Sequence, residues 1–435
     1  MKKTFSCKWM YIGMLLIYIS VSDIFGFVDL NVWIGSGGEL YDLVFLAVLA
    51  GSIFFALPYI HIPLFKEERR IGTAVCVLFG YIIVSGIVLV LSGRQSIFQT
   101  LSVMREVFYI LIFYAFWRGK YETDKMLKLI IGLELAAEFF YFIECFTGPL
   151  TPLHIQAHME TVGIWRMYGA APLYANFMCP LLVYRYYKKE YLFSRKKDML
   201  ILSLLIGFLV IKLGRTALFL TLLVVLFAVL DASKRSSKKL KNALVFIILA
   251  VIMSVLICSI LFPAYLDRLW EAVISLTKIG DHNYNSTLLV RTSTIRVRYD
   301  YLMERGKQLW GLGPLHNDTK ITLAASIHDH ANEGVIASDT AYGSLLIRYG
   351  MVGIILYILP YIVCIINYVR KSDPFCKSIA LYAFTCLVGG MTGHAALCFY
   401  APLKLGILLG IVSKERRDSP KYINLQICTH ESFKG

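Results

Sequence analysis

Charge is scarce in this sequence. Only 17% of its 435 residues are Asp, Glu, Lys or Arg, against about 25% in an ordinary soluble domain. A soluble globule of this size has no use for 57% apolar sequence, so lipid is the solvent for most of the chain. Phosphate-cradling glycine motifs are also missing. There is neither a P-loop nor a Gly-x-Gly-x-x-Gly after a strand, which argues against a nucleotide-dependent enzyme. No Cys-x-x-Cys pair occurs. The ten cysteines are scattered, mostly within apolar runs, and none lies between residues 264 and 338. That excludes a disulfide framework and leaves apolar packing as their role. No internal repeat and no low-complexity tract is visible.

What is present is a series of apolar runs, at 10–26, 40–60, 71–92, 98–117, 127–147, 164–184, 199–213, 216–231, 242–263, 341–369, 378–398 and 400–413. Most match the roughly 20 residues that cross a hydrocarbon core. The net charge of +15 would suit nucleic acid, but its placement does not. Lys and Arg concentrate in alternate connections: before the first run, and after the second, fourth, sixth, eighth, tenth and last. The opposite connections 27–39 and 148–163 have none, and 93–97 has only Arg94. By the positive-inside rule this predicts an all-α integral membrane protein of about twelve spans, multi-pass, with both termini in the cytoplasm. The pattern holds only if 199–231 is two short helices meeting at Gly214-Arg215; one long helix would invert everything downstream. The first run lacks a small-x-small cleavage site and reads as a retained span.

Three regions follow: a membrane domain over 1–263, an extracytoplasmic loop over 264–338, and three last spans with a cytoplasmic tail over 339–435. The loop holds eight Lys/Arg and eight Asp/Glu. It opens at Tyr265 with the spacing of a surface amphipathic helix. A second helix is predicted over Arg291–Arg305, broken by Trp310-Gly-Leu-Gly-Pro314. The stretch from His316 to Ser338 reads as a polar loop, long enough to suggest function.

Ionisable residues within spans are costly and tend to face a cavity or a partner. Arg105 lies mid-run, either paired with Glu106 or Glu134 or lining a site. Arg166 opens the sixth run, as a snorkelling anchor or a ligand. Arg215 sits at the turn between two short spans. Arginines at the outer ends of several helices would suit a diphosphate, which guanidinium groups grip bidentately. Arg291, Arg296, Arg298 and Arg305 do not share one helix face. Most of them fit a solvated surface partnered by Asp300 and Glu304. His316, His328 and His330 lack the spacing of a metal centre; His330 is a candidate general base. Asp339 either N-caps the tenth span together with Ser338 or acts as an interfacial carboxylate, and one residue can do both. Tyr342 follows on the same face. Gly350 and Gly353 have the small-residue spacing that admits a neighbouring helix.

The order of these elements resembles the O-antigen polymerase/ligase family, which includes Wzy-type polysaccharide polymerases. The features that carry the likeness are many spans, one large late loop and the run Asp339, Tyr342, Leu346, Gly350, Gly353. Trp310-Gly311-Leu312-Gly313, Leu213-Gly214-Arg215 and Arg166 with Gly169 add to it. The resemblance implies a metal-independent glycosyltransferase of GT-C-like fold with no cofactor, in a bacterial cytoplasmic membrane. Its substrates would be undecaprenyl-diphosphate-linked glycans, with a chain-length regulator and a flippase as further partners. It also implies catalytic roles for Asp339 and His330, and substrate binding by Arg105, Arg166, Arg215, Arg291 or Arg296, and Tyr342. Ligases of the group carry His where this chain has Asp339, which favours polymerase. The other readings are a ligase and a transporter of lipid-linked oligosaccharide.

Overall fold

The computed structural model describes residues 10–16, 50–51, 54, 66–148, 158–159, 165–166, 174–211, 215–233, 252, 256, 287–315, 340–391, 397–398 and 401–418. The regular elements among them are α1 (Lys66–Leu91), α2 (Ile97–Phe108), a 3-10 turn (Tyr109–Ile112), α3 (Phe113–Arg118), α4 (Thr123–Thr147), β1 (His158–Met159), β2 (Trp165–Arg166), α5 (Ala175–Lys188), α6 (Arg195–Ile211), α7 (Arg215–Ala232), α8 (Thr287–Met303), α9 (Ala341–Tyr368), α10 (Pro374–Gly389) and α11 (Ala401–Arg417). Apart from the two short antiparallel strands, regular structure here is helical.

Among the described residues, three stretches are long and apolar enough to cross a membrane: α1, the run Ile97–Arg118, and α9. The chain is therefore helical in a way that suits a membrane protein. The expected division of 199–231 appears as two helices, α6 and α7, packed against each other. The expected helix at 291–305 is α8. The first, second and ninth apolar runs lie mostly outside the described residues, and the surface helix predicted from Tyr265 lies wholly outside them. One expectation needs correction. Helix α5 starts at Ala175, so Arg166 does not open a helix; it pairs across from His158 in extended backbone. Hydropathy counts Trp165 as apolar, but aromatic residues favour strands as readily as helices.

Local signals set several helix ends. Ser96 accepts the Gln99 N–H at 3.2 Å while the Gln99 side chain accepts the Ser96 N–H at 3.3 Å, a capping box that starts α2. Asp373 accepts the Cys376 N–H at 2.8 Å, with Pro374 at the first position of α10. At α9 the cap is Thr340, whose hydroxyl accepts the Gly343 N–H at 3.2 Å. The capping role offered for Asp339 is thus filled by the next residue, an equally good cap type.

Helix α11 forms the centre. Residues 401–414 are buried all round, and apart from Lys404, Ser413 and Lys414 they are apolar or small on every face. It packs on α2, the 3-10 turn, α3, α4 and α10. Gly406 and Gly410 permit this. A Cβ on Gly406 would sit 2.6 Å from the Ile110 carbonyl oxygen, and one on Gly410 2.7 Å from that of Phe113. Small residues four apart let helix backbones approach this closely.

The helix ends carrying basic residues gather at one face of the bundle. Glu68, 4% exposed, accepts from Arg416 at 2.7 Å, Ser413 at 3.0 Å and Tyr368 at 3.2 Å. Glu67 takes Arg416 at 3.1 Å and Lys371. Arg417 donates to the Trp117 carbonyl at 2.8 Å, Arg185 binds Asp124 at 2.9 Å, and Lys377 binds Asp231. These contacts tie together the start of α1 and the ends of α3, α9 and α11. They also join α4 to α5 and α7 to α10. Helices α1 and α9 are antiparallel, because Tyr349 meets Tyr81 while Tyr368 meets Glu68.

Glu415 lies on this face, beyond the apolar run 400–413. Burial pushes its carboxyl up to about 7; Asp373, Asp124 and Glu190 add repulsion and Arg185 opposes it. The folded protein thus holds this proton more tightly than the unfolded chain does. Its ionisation costs stability progressively between the ordinary value of 4.5 and about 7, and the full penalty applies above that. Glu415→Gln removes the penalty. Its gain in melting temperature over the parent is expected to be larger at pH 8 than at pH 5, and an equal gain at both would contradict this account.

Candidate functional site

Helix α9 is broken at Gly350, whose backbone (φ 65°, ψ −169°) lies in a region open essentially to glycine. An unbroken helix would pair Met351 N–H with the Ile347 carbonyl and Val352 N–H with that of Arg348. All four groups instead pair with the segment that follows α8. Met351 donates to Gln308 at 3.0 Å and Val352 to Leu309 at 3.1 Å; Leu312 donates to Ile347 at 3.0 Å and Gly313 to Arg348 at 2.7 Å. Backbone that leaves helical geometry within an apolar helix must be satisfied by such partners. Gly311, itself at φ 69°, allows the approach: a Cβ there would stand 2.6 Å from the Arg348 carbonyl. The Tyr81 hydroxyl pins the junction, 2.6 Å from the Tyr349 carbonyl and 3.1 Å from that of Trp310. Gln95 adds a bond to the Pro314 carbonyl at 3.0 Å, and Gly313 packs on Leu89 at the far end of α1. The loop motif thus docks at the end of the bundle opposite the basic face.

Beside this junction lie the charges. The Glu106 carboxylate is within electrostatic reach of the guanidinium groups of Arg348 and Arg105, and also of Tyr349, Tyr357 and Cys398. Arg105 is buried; Glu106 and Arg348 are partly accessible. Arg298 of α8 is buried too. Its Nη1 would be 2.5 Å from a Cβ on Gly343, so the guanidinium rests against the first turn of α9. A second interior pair joins α11 to α4: Lys404 lies within electrostatic reach of Glu134, which is 1% exposed and accepts the Tyr174 N–H at 3.2 Å.

The sequence candidates fare unevenly. Arg105 is in the cluster. Arg296 is not: it is 85% exposed and 4.0 Å from Asp300, the solvated alternative offered for it. Arg305 is similar, stacked on Tyr301 at 3.6 Å with Glu304 beside it. Among the described arginine side chains of α8, the one that turns inward is Arg298. Tyr342 donates its hydroxyl to the Leu387 carbonyl at 2.8 Å, which ties α9 to α10. Gly353 does meet a neighbouring helix, at Tyr81 of α1, whereas Gly350 meets loop backbone. Arg215 begins α7 and Arg291 lies within α8; their side chains, and that of Arg166, are outside the described residues. So are Asp339, His316, His328 and His330.

Arg348, Arg298, Glu134 and Lys404 were missed as site residues. The first and last sit inside apolar runs, where an ionisable residue is itself a signal. Arg298 is seven positions from Arg291, on the same helical face. Compared with known proteins, the chain matches no family model and no curated protein.

Proposed function

We propose that this protein is a polysaccharide polymerase of a bacterial cytoplasmic membrane, with about twelve spans in a GT-C-like arrangement and both termini inside. It joins oligosaccharide repeat units carried on undecaprenyl diphosphate. The observation that carries this reading is the Arg105–Glu106–Arg348 cluster, lying beneath the docked loop at the end of the bundle away from the basic face. If the basic face is cytoplasmic, the cluster lies toward the outer leaflet. Arg105 and Arg348, both within electrostatic reach of Glu106, would supply two guanidinium groups to a diphosphate. The acceptor sugar hydroxyl attacks the anomeric carbon of the growing chain, and undecaprenyl diphosphate leaves. Catalysis then needs only alignment of two lipid-borne partners and stabilisation of the phosphate charge that develops. Asp339 and His330 remain the candidates to take the hydroxyl proton.

The break in α9 favours one second reading, a transporter of lipid-linked oligosaccharide, because discontinuous helices are typical of transporters. Deletion followed by gel analysis of surface glycan separates the two. Loss of the polymerase leaves single repeat units on the carrier or final acceptor. A transporter mutant traps units on the inner leaflet, and a ligase mutant accumulates long chains on undecaprenyl diphosphate. An unchanged glycan ladder would end the reading altogether.

A further inference from the structure

We propose that the 308–313 segment is a detachable clasp and that α9 has two states, broken when clasped and continuous when released. The exchange of partners involved is independent of the protein's activity. The Met351 and Val352 N–H groups and the Ile347 and Arg348 carbonyls are bonded to the loop. They are also the groups that would bond to one another across an unbroken turn. Releasing the loop therefore leaves none of the four unsatisfied. The helix closes on itself, and the loop's own groups, at Gln308, Leu309, Leu312 and Gly313, turn to water. Ordinary local unfolding strands both sides of a junction; here, of the backbone groups that meet at it, only those of the loop lose protein partners.

The conformational requirement is equally specific. The clasped state needs Gly350 at positive φ and a bare Cα at Gly311, because a Cβ on either would overlap the other strand's backbone. The released state needs neither. Tyr81 sets the balance. Its one proton faces two carbonyls, one on each side of the junction, and it favours the shorter bond to Tyr349. Closing α9 reorients its first nine residues, 341–349, against the rest. The movement works against the bonds of Ala341 to the Gly390 carbonyl and of Tyr342 to that of Leu387 and shifts Arg348 and Tyr349 relative to Glu106, so the clasp couples the loop to the charged cluster.

Residue-resolved amide hydrogen exchange on the full chain in nanodiscs tests this. In the parent protein the Leu312 and Gly313 amides are expected to exchange about tenfold or more faster than those of Met351 and Val352, because only the latter find a new partner on release. In Gly350→Ala the loop amides lose protection while 351–368 keep theirs. Gly311→Ala gives the same pattern from the other side, and Tyr81→Phe speeds the loop amides alone. Protection across α10 serves as the control for folding. The proposal is overturned if all four amides exchange at one rate in the parent. It is also overturned if Gly350→Ala leaves the loop protected, or if it exposes 351–368 together with the loop.

Discussion

Changing Lys404 to Met is expected to destabilise the folded protein by about 3–5 kcal/mol, the cost of leaving a buried charge without its counter-charge. Lys404 is 8% and Glu134 1% exposed, and the helices that carry them, α11 and α4, pack together in the interior. Met replaces the lysine stem with little change in volume, so the loss reports on charge and not on a cavity. The partner substitution should be Glu134→Gln, because the amide oxygen can still accept the Tyr174 N–H while the charge disappears. Replacing both residues is expected to recover most of the lost stability, since exchanging a whole buried pair for neutral groups is often close to neutral. Thermal unfolding of the four proteins in detergent gives the comparison. A Lys404→Met protein as stable as the parent, or a double variant no better than that single one, would show that the two groups are not coupled.

Arg348→Ala and Arg105→Ala are each expected to lower the yield of polymerised glycan by about 100- to 1000-fold, the scale set by losing one group that stabilises developing charge. Arg296→Ala should leave the ladder unchanged, because that side chain is solvated beside Asp300. Arg348→Lys is the more informative variant. It keeps the charge but not the planar fork that binds two phosphate oxygens together, so it should restore little. Normal ladders from both alanine variants at parental protein levels would remove the cluster from the mechanism. Loss of the ladder in Arg296→Ala as well would point to expression or folding instead.

The helices themselves were largely legible in the sequence. The apolar runs at 71–92, 98–117 and 341–369 correspond to the stretches long enough to cross a membrane. The division of 199–231, argued from charge parity alone, matches α6 and α7. What was not legible depends on partners far away in the chain. Hydropathy records that 341–369 is apolar, but not that Ile347 and Arg348 bond to residues 308–313. Spacing showed that the arginines of α8 could not all face one way; only the packed first turn of α9 selects Arg298 over Arg296. Lys404 vanishes into the average of the run around it, and Glu134 stands out in the sequence only as a candidate partner for Arg105. The cap of α9 was misplaced by one residue, the usual precision of a helix boundary read from residue type.

The all-round burial of α11 has a consequence for biogenesis. Every helix it packs against, from α2 to α10, precedes it in the chain. During synthesis those helices enter the bilayer before the element that fills the space between them exists. Their faces toward it therefore stay without their final partner until Ala401–Arg417 arrives. The assembly closes late, and a nascent chain stopped short of residue 401 would leave the faces of α2, α3, α4 and α10 that meet α11 without their partner.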